Sequence, residues 1–277
     1  MSLSMSPPVF EVRGVTVERG VEHARRRIVD DVTLAARQGE VLVLMGENGA
    51  GKSTLMKLMA GDIAPDRGNV LLNDHALATC SALEQARQRA VLPQEATLAF
   101  AFTAFEIVLL GRSPWCGGHP GAPDRIAARE ALRRTDALHL AARSYPTLSG
   151  GERARVMLAR VIAQIAAGEA GNERMPRGLL LDEPTATLDI AHQHAAFKVI
   201  RELARREGIA VVAVLHDPNL AALYADRVAL MKEGRLLACG PTDETMSEEA
   251  MTQCFSIPMR RVRHPTQDVP LLVAMTD

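Results

Sequence analysis

Aromatic residues are scarce in this 277-residue chain, with one Trp, two Tyr and six Phe, so aliphatic side chains must fill the interior. Neither sign of charge dominates. Lys and Arg number 32 against 33 Asp and Glu, a net charge of −1, which argues against a bulk electrostatic grip on nucleic acid. The four cysteines, Cys80, Cys116, Cys239 and Cys254, include no CxxC pair, which disfavours a disulfide framework or a zinc site and suits reduced thiols. No run approaches the ~20 apolar residues that cross a bilayer; "VLVLM" and "VVAVL" have strand length. The N-terminal "MSLSMSPPVF" lacks the basic and apolar regions of a signal peptide. Repeats of 20–50 residues, low-complexity tracts and heptads are missing too. These absences lead to the expectation of a soluble chain whose membrane association, if any, comes through a partner.

What is present reads as α/β. Short strands are expected at "FEVRGVTVE" and "IVDDVTLAAR", then a buried strand "GEVLVLMG" ending in a glycine-rich turn and the helix "KSTLMKLMAG". A strand near Val70–Leu72, a helix near Ala82–Gln88 and the strand "AVLP" follow. From Thr103 to about Gln164 the pattern is mostly helical, with a Thr103/Glu106 capping box and a Gly/Pro-rich loop "GRSPWCGGHPGAP". Strand–helix alternation resumes after the polar "GEAGNERMPRG", with "LLLD", a helix from Ile190 to Arg206, the strand "GIAVVAVLH" and the helix "PNLAALYAD". A largely parallel sheet is implied, with a small helical lobe inserted into it.

The stretch Gly46, Glu47, Asn48, Gly49, Ala50, Gly51, Lys52, Ser53, Thr54 satisfies G-x-x-x-x-G-K-[ST] between a strand and a helix, the context that makes this motif specific. Its glycines let backbone N–H groups wrap phosphates, and the helix start adds positive potential. Lys52 is expected on the β- and γ-phosphates and Ser53 on Mg²⁺. In "GLLLDEP", Asp182 stands at the carboxyl end of a short strand, the edge where open parallel sheets bind ligands. Two acids there would alone read as solvated carboxylates. Beside a phosphate loop, Asp182 becomes the Mg²⁺ ligand and Glu183 the base for the attacking water. His216 closes the strand "GIAVVAVLH" and can hydrogen-bond the γ-phosphate. Gln94, after "AVLP", can touch both Mg²⁺ and the water, and Asp189 both caps the next helix and faces the site.

A second anion-ready helix start is unexplained by one phosphate loop. Ser149 and Glu152 form an S-x-x-E capping box around Gly150 and Gly151, leaving free N–H groups at a glycine-lined helix start. Taken in order, "GENGAGKST", "LPQ", "LSGGE", "LLLDEP", "TLD" and "LHD" resemble the motif set of the ATP-binding subunits of ABC transporters, over residues 9 to 265. The resemblance implies a P-loop NTPase core with an N-terminal antiparallel β region and an inserted helical subdomain. It divides the chain into a core lobe at 9–95 and 165–265, a helical lobe at about 96–164 and a tail at 266–277. It also implies two copies paired head to tail, with each ATP lying between Gly46–Thr54 of one and Ser149–Glu152 of the other. Gln94 would then sit at the hinge between lobes. Two departures stand out. No Phe, Tyr or Trp lies in "VERGVEHARRRIVDD" to stack on adenine, leaving Arg19 or His23. Arg153 and Ala154 replace a usual pair of glutamines.

Cargo is not written in site chemistry, because such a subunit does not touch it. The stretches "ARQRAVLPQ", "LLGRSP", "LDEPTATLDIAHQH" and "HDPNLAALYADRVAL" resemble bacterial hemin import ATP-binding proteins. The implied partners are a second copy, a transmembrane permease dimer and, through the permease, a periplasmic haem-binding protein, with no nucleic acid. The implied place is the cytoplasmic face of the inner membrane, as a peripheral subunit. Ferric-siderophore and cobalamin importer ATPases are the nearest alternatives; a soluble ABC ATPase acting on nucleic acid or ribosomes lacks the tandem domains or coiled coils expected of it. His192 and His194 in "DIAHQH" invite a metal or haem reading, but they stand two apart on a helix and so point in different directions, which favours a solvated face.

Overall fold

A computed structural model of the chain describes residues 7–20, 25–94, 102–166 and 175–275. The first layer is an antiparallel sheet. Strand β1 (Pro8–Arg19) pairs with β2 (Arg26–Arg37), and beyond β3 (Val41–Met45) and helix α1 (Lys52–Ala60) the chain returns as β4 (Arg67–Leu72) and β5 (His75–Ala76), giving the order β2-β1-β4-β5. Phe10 of β1 is one of the few aromatics and is fully buried. Its ring packs so closely on Gly178 that a Cβ there would come within 2.1 Å of it. That contact pins the antiparallel layer to the second sheet.

Chain order continues with α2 (Ala82–Gln88), β6 (Arg89–Leu92), α3 (Ala104–Leu110), α4 (Ser113–Cys116), α5 (Ala122–Arg134) and α6 (Gly150–Ile165). Then come β7 (Gly178–Asp182), α7 (Ile190–Glu207), β8 (Ala210–Val214), α8 (Pro218–Tyr224), β9 (Arg227–Lys232) and β10 (Arg235–Pro241). The second sheet has the order β10-β9-β3-β8-β7-β6, parallel except for the β9–β10 pair. Every residue of β3, β7 and β8 is buried, as expected of parallel strands covered on both faces. Alternate side chains divide the core. Leu42, Leu44, Leu180 and Val212 face the antiparallel layer and α1, while Val43, Leu181, Val211 and Ala213 face the helices, α6 and α7 among them.

Register then fixes what meets at the carboxyl edge. Leu44 and Asp182 both pair with Val214, and Leu92 pairs with Leu181. The strands therefore end side by side, and the residues just beyond them, Gly46, Glu183, His216 and Gln94, are delivered to one rim. The mostly parallel sheet, the N-terminal antiparallel region and the intervening helices agree with the sequence reading.

Between β6 and β7 the helices α3, α5 and α6 pack on one another, and α6 also covers the edge strand β6. The first amides of α3 donate to residues ahead of α6, Ala104 N to Arg143 O and Phe105 N to Ala141 O, both at 2.9 Å. Here one expectation is corrected: the Gly/Pro-rich stretch is not all loop, because α4 forms inside it with Pro114 in its first turn and Gly117 ending it at φ 57°. Trp115 explains the turn. Its Nε1 donates to Gln164 O, and its ring lies under the guanidinium groups of Arg87 and Arg112. Arg112 is itself buried. Its Nε donates to Asp124 Oδ1 at 3.1 Å and its Nη1 to the carbonyls of Ala163 and Ala166, satisfying the end of α6.

The chain closes with α9 (Thr242–Thr245), α10 (Glu248–Phe255) and a hairpin of β11 (Met259–Arg263) and β12 (Pro270–Ala274). Asn219 of α8 ties the hairpin down, exchanging two hydrogen bonds with Leu272. Among the described residues no helix is long and apolar enough to cross a membrane. The part of the polar insertion at 167–174 lies outside the described residues.

Arg112 generates a stability prediction. Arg112→Met strands the Asp124 carboxylate and two helix-end carbonyls, so urea denaturation should show a loss of about 3–5 kcal/mol. A loss below about 1 kcal/mol would show that the pair is dispensable.

Candidate functional site

The phosphate loop is shaped by what its glycines touch. A Cβ on Gly46 would sit 2.1 Å from Met231 O, and one on Gly51 2.5 Å from Ile28 O, so both are fixed by neighbouring backbone. Gly49, at φ 81°, faces open space instead and leaves its backbone approachable. Lys52 opens α1 and is only 5% exposed. Its Nζ donates to Gly46 O at 2.8 Å and Glu47 O at 2.9 Å. Burial lowers its pKa, opposed by the charges of Glu183, Cys254 and Asp182.

Ser53 and Asp182 meet next to it, Ser53 Oγ donating to Asp182 Oδ1 at 3.5 Å. Asp182 is 8% exposed, and burial raises its carboxyl pKa. The Ser53 hydrogen bond opposes that shift and the Glu183 charge adds to it. Two hard oxygens facing each other in a buried place that disfavours an uncompensated anion fit a divalent cation such as Mg²⁺. A cavity of about 280 Å³ opens beside them, lined by Ser53, Lys57, Val91, Gln94 and Asp182. Gln94 is thus brought to the pair that the sequence places it with.

Glu183 has φ 52°, an uncommon backbone state for a residue with a side chain. The turn it makes aims its carboxylate at His216, with Nε2 and Oε1 2.7 Å apart. His216 does not close the strand, as the pattern suggests. β8 stops at Val214, and Leu215 N bonds Leu44 O before the chain turns outward. Asp217 then caps α8, accepting from Asn219 N and Leu220 N.

Ser149 caps α6 as expected: its hydroxyl accepts from Glu152 N, and Glu152 Oε2 accepts from Ser149 N at 2.7 Å. Two partners were not visible in the sequence. Arg143 Nη1 donates to the other Glu152 oxygen at 2.7 Å, and Thr187 Oγ1 donates to Gly150 O at 3.4 Å. Thr187 lies in the "TLD" turn, whose Asp189 caps α7 by accepting from His192 N. The Asp189 carboxylate also lies 2.8 Å from His192 Nδ1. Among the described residues no hydrogen bond or ion pair joins Ser149–Glu152 to Gly46–Thr54, so the two anion-ready loops of one chain remain separate.

Of the adenine candidates, Arg19 is exposed at the end of β1, its Nη1 on Glu18 O, and His23 lies outside the described residues. The solvated reading of the α7 histidines needs correcting for His194. It is half-buried and 3.0 Å from the Tyr224 hydroxyl, thirty residues away in sequence and beyond the reach of helical spacing.

Comparison with known proteins follows the same lines. The family model described as ABC transporter matches residues 29–186. The chain is 52% identical to the hemin import ATP-binding protein HmuV of Gloeobacter violaceus, over 92% of each chain. It is 46% identical to the protein of that name from Myxococcus xanthus, over 95% of this chain and 96% of that one. Among solved structures, a chain of a transporter assigned to the metal-chelate ABC type, in an inward-facing conformation, superposes with TM-score 0.79 at 26% identity over 98% of both chains. The cbiO1 chain of Clostridium perfringens, part of the ABC transporter complex cbiONQ, gives 0.73 at 25% identity, over 90% of this chain and 94% of that one.

The contrast between glycines is testable without any ligand. Gly46→Ala drives a methyl into Met231 O and should cost about 3 kcal/mol in urea denaturation. Gly49→Ala meets only its backbone preference and should cost about 1 kcal/mol. Equal losses would contradict the division of roles.

Proposed function

We propose that this chain, which belongs to the ABC transporter family, is the ATP-hydrolysing subunit of a haem importer. The observation that carries the ATPase is the convergence of Lys52, Ser53, Asp182, Glu183, His216 and Gln94 on one rim of a parallel sheet. Haem as cargo rests on the relatives named for hemin import, which match this chain over more than nine-tenths of its length at up to 52% identity.

In this reading a triphosphate offers Lys52 Nζ anionic oxygens in place of two carbonyls, and the N–H groups of Gly49 to Thr54 line the rest of the cradle. Ser53 and Asp182 hold Mg²⁺, with Gln94 at its side. The ion, when bound, neutralises charge on the phosphate oxygens. Glu183 takes the proton of the attacking water, whose oxygen bonds the γ-phosphorus as the bond to the bridging oxygen of ADP breaks. His216 holds the Glu183 carboxylate in place at 2.7 Å.

The γ-phosphate then needs a second set of donors, and we assign them to Ser149, Gly150, Gly151 and Glu152 of a second copy, paired head to tail so that each interface closes over two equivalent nucleotides. Losing the γ-phosphate removes those charge-assisted bonds, so opening follows hydrolysis. Residues about 96–164, as a helical lobe hinged at Gln94 against a core of 9–95 and 165–265, would carry the motion to a transmembrane permease dimer. A periplasmic haem-binding protein delivers cargo to that permease. The chain works at the cytoplasmic face of the inner membrane, held there by the permease.

Glu183→Gln should lower ATP turnover by roughly 10²–10⁴-fold while nucleotide binding is retained; unchanged turnover would remove Glu183 from the chemistry. Cargo is tested in liposomes holding the chain and its permease. Haem-loaded binding protein should stimulate turnover, and stimulation by a ferric siderophore or cobalamin instead would reassign the transporter.

A further inference from the structure

The turn between β9 and β10 forms the floor of the phosphate loop. Lys232 pairs with Arg235, which leaves Glu233 and Gly234 as a two-residue turn. Both have left-handed backbone, at φ 50° and 82°, the form that matches the twist of the flanking strands. Gly234 N donates to Ala50 O at 3.1 Å. A Cβ on Gly51 would lie 3.5 Å from both Gly234 Cα and Met231 Cε. With Met231 O against Gly46, the loop rests on this turn at its first glycine and again at its last.

The turn is itself held from two sides. On one side is β2, where Asp30 N donates to Gly234 O at 2.8 Å and the Asp30 carboxylate accepts from Arg235 Nε at 2.8 Å. On the other is the last turn of α10. Lys232 Nζ donates to Gln253 O at 2.6 Å and to Ser256 Oγ at 2.9 Å. Cys254, fully buried between them in sequence, donates its thiol hydrogen to Met231 O at 3.8 Å. Among the described residues no carboxylate pairs with Lys232. Its ammonium is committed to the carboxyl end of a helix, where free carbonyls and the helix dipole favour a cation.

We propose that Lys232 is a positioning residue for ATP: it fastens the β9–β10 turn to α10 and so keeps the phosphate loop in its cradle form before the nucleotide arrives. Lys232 acts through the turn and touches neither phosphate nor Mg²⁺. The choice of ligand rests on the ATPase reading above; the contacts do not. A loop that holds the cradle form for only a fraction of the time binds with an affinity lowered by that fraction. Once a triphosphate is seated, the N–H groups of Gly49 to Thr54 hold the loop around it, and the chemical step proceeds as before. Loss of the tether therefore raises KM and spares kcat.

The test joins two readouts: binding of mant-ATP with Mg²⁺ to the purified full-length chain, and ATP turnover in the permease liposomes. Lys232→Met should weaken binding and raise KM about tenfold, with kcat within about twofold of the parent. Lys232→Arg keeps a donor and should bring both to within about threefold of the parent. Thr252→Val removes the acceptor of Met259 N at 2.9 Å, untying α10 from β11 instead of from the turn, and should behave as the parent does. Should Lys232→Met not fold, Ser256→Gly takes its place, because glycine adopts φ 54° freely and only the hydroxyl is lost. That variant should bind about two- to threefold more weakly. Parent-like affinity in whichever of the two folds overturns the inference, as does an equal weakening in Thr252→Val or a kcat that falls as far as KM rises. The two readings fail separately. Turnover lost in Glu183→Gln with parent-like binding in Lys232→Met sinks this inference alone. Binding weakened in Lys232→Met with turnover unchanged in Glu183→Gln sinks the catalytic assignment alone.

Discussion

A buried ammonium must have oxygen around it, and the candidate site is organised by that need at Lys52. Two carbonyls of the chain's own loop satisfy it, Gly46 O and Glu47 O. They can do so only because Gly46 packs directly on Met231 O and Gly51 on Ile28 O, turning the loop back over the head of α1. The arrangement stores affinity for anions: a neutral pair of carbonyls compensates the charge less well than phosphate oxygens would. Asp182 has the opposite problem, a carboxyl whose burial raises its pKa despite the Ser53 hydroxyl and the charges of Lys52 and Lys57. A buried ammonium and a buried carboxyl, each disfavoured by burial and only partly compensated by the other, suit the metal-bound polyphosphate proposed for this site.

The helical segment holds the glycine-lined start of α6, proposed above as the donor set for a partner's nucleotide, in a fixed arrangement. Ser149 is fixed through Glu152 and Arg143, and Arg143 O in turn receives Ala104 N of α3. On the other side Thr187, four residues past Glu183, reaches Gly150 O. The start of α6 is therefore tied both to α3 and to the turn that follows Glu183. Either tie can report a change at the sheet edge, which is the property an energy-coupling subunit needs.

Much of this was legible from residue order. Capping boxes at Thr103 and Ser149 involve residues three apart, so local chemistry alone places them. Buried strands reveal themselves as apolar runs, and the strand–loop–helix motif carries its own context. Long-range pairings were not legible. Arg143 to Glu152, Thr187 to Gly150 and His194 to Tyr224 depend on how helices cross, which no spacing rule encodes. Tertiary contact also overrode composition at α4, where the bonding of Trp115 to α6 makes a helical turn out of glycine- and proline-rich sequence. The left-handed backbone of Glu183 left no trace in the sequence, since an acid is an unusual choice there.

In the proposed head-to-tail pair each chain holds only half of what its nucleotide requires. The most direct measurement is specific ATP turnover of the purified chain against its own concentration. Turnover per chain should rise with concentration and approach a plateau as pairs form, and a Ser149→Arg chain mixed with a Lys52→Ala chain should form one competent site at most. A specific activity that is constant down to the highest dilution would contradict it, since a solitary chain would then complete the reaction by itself.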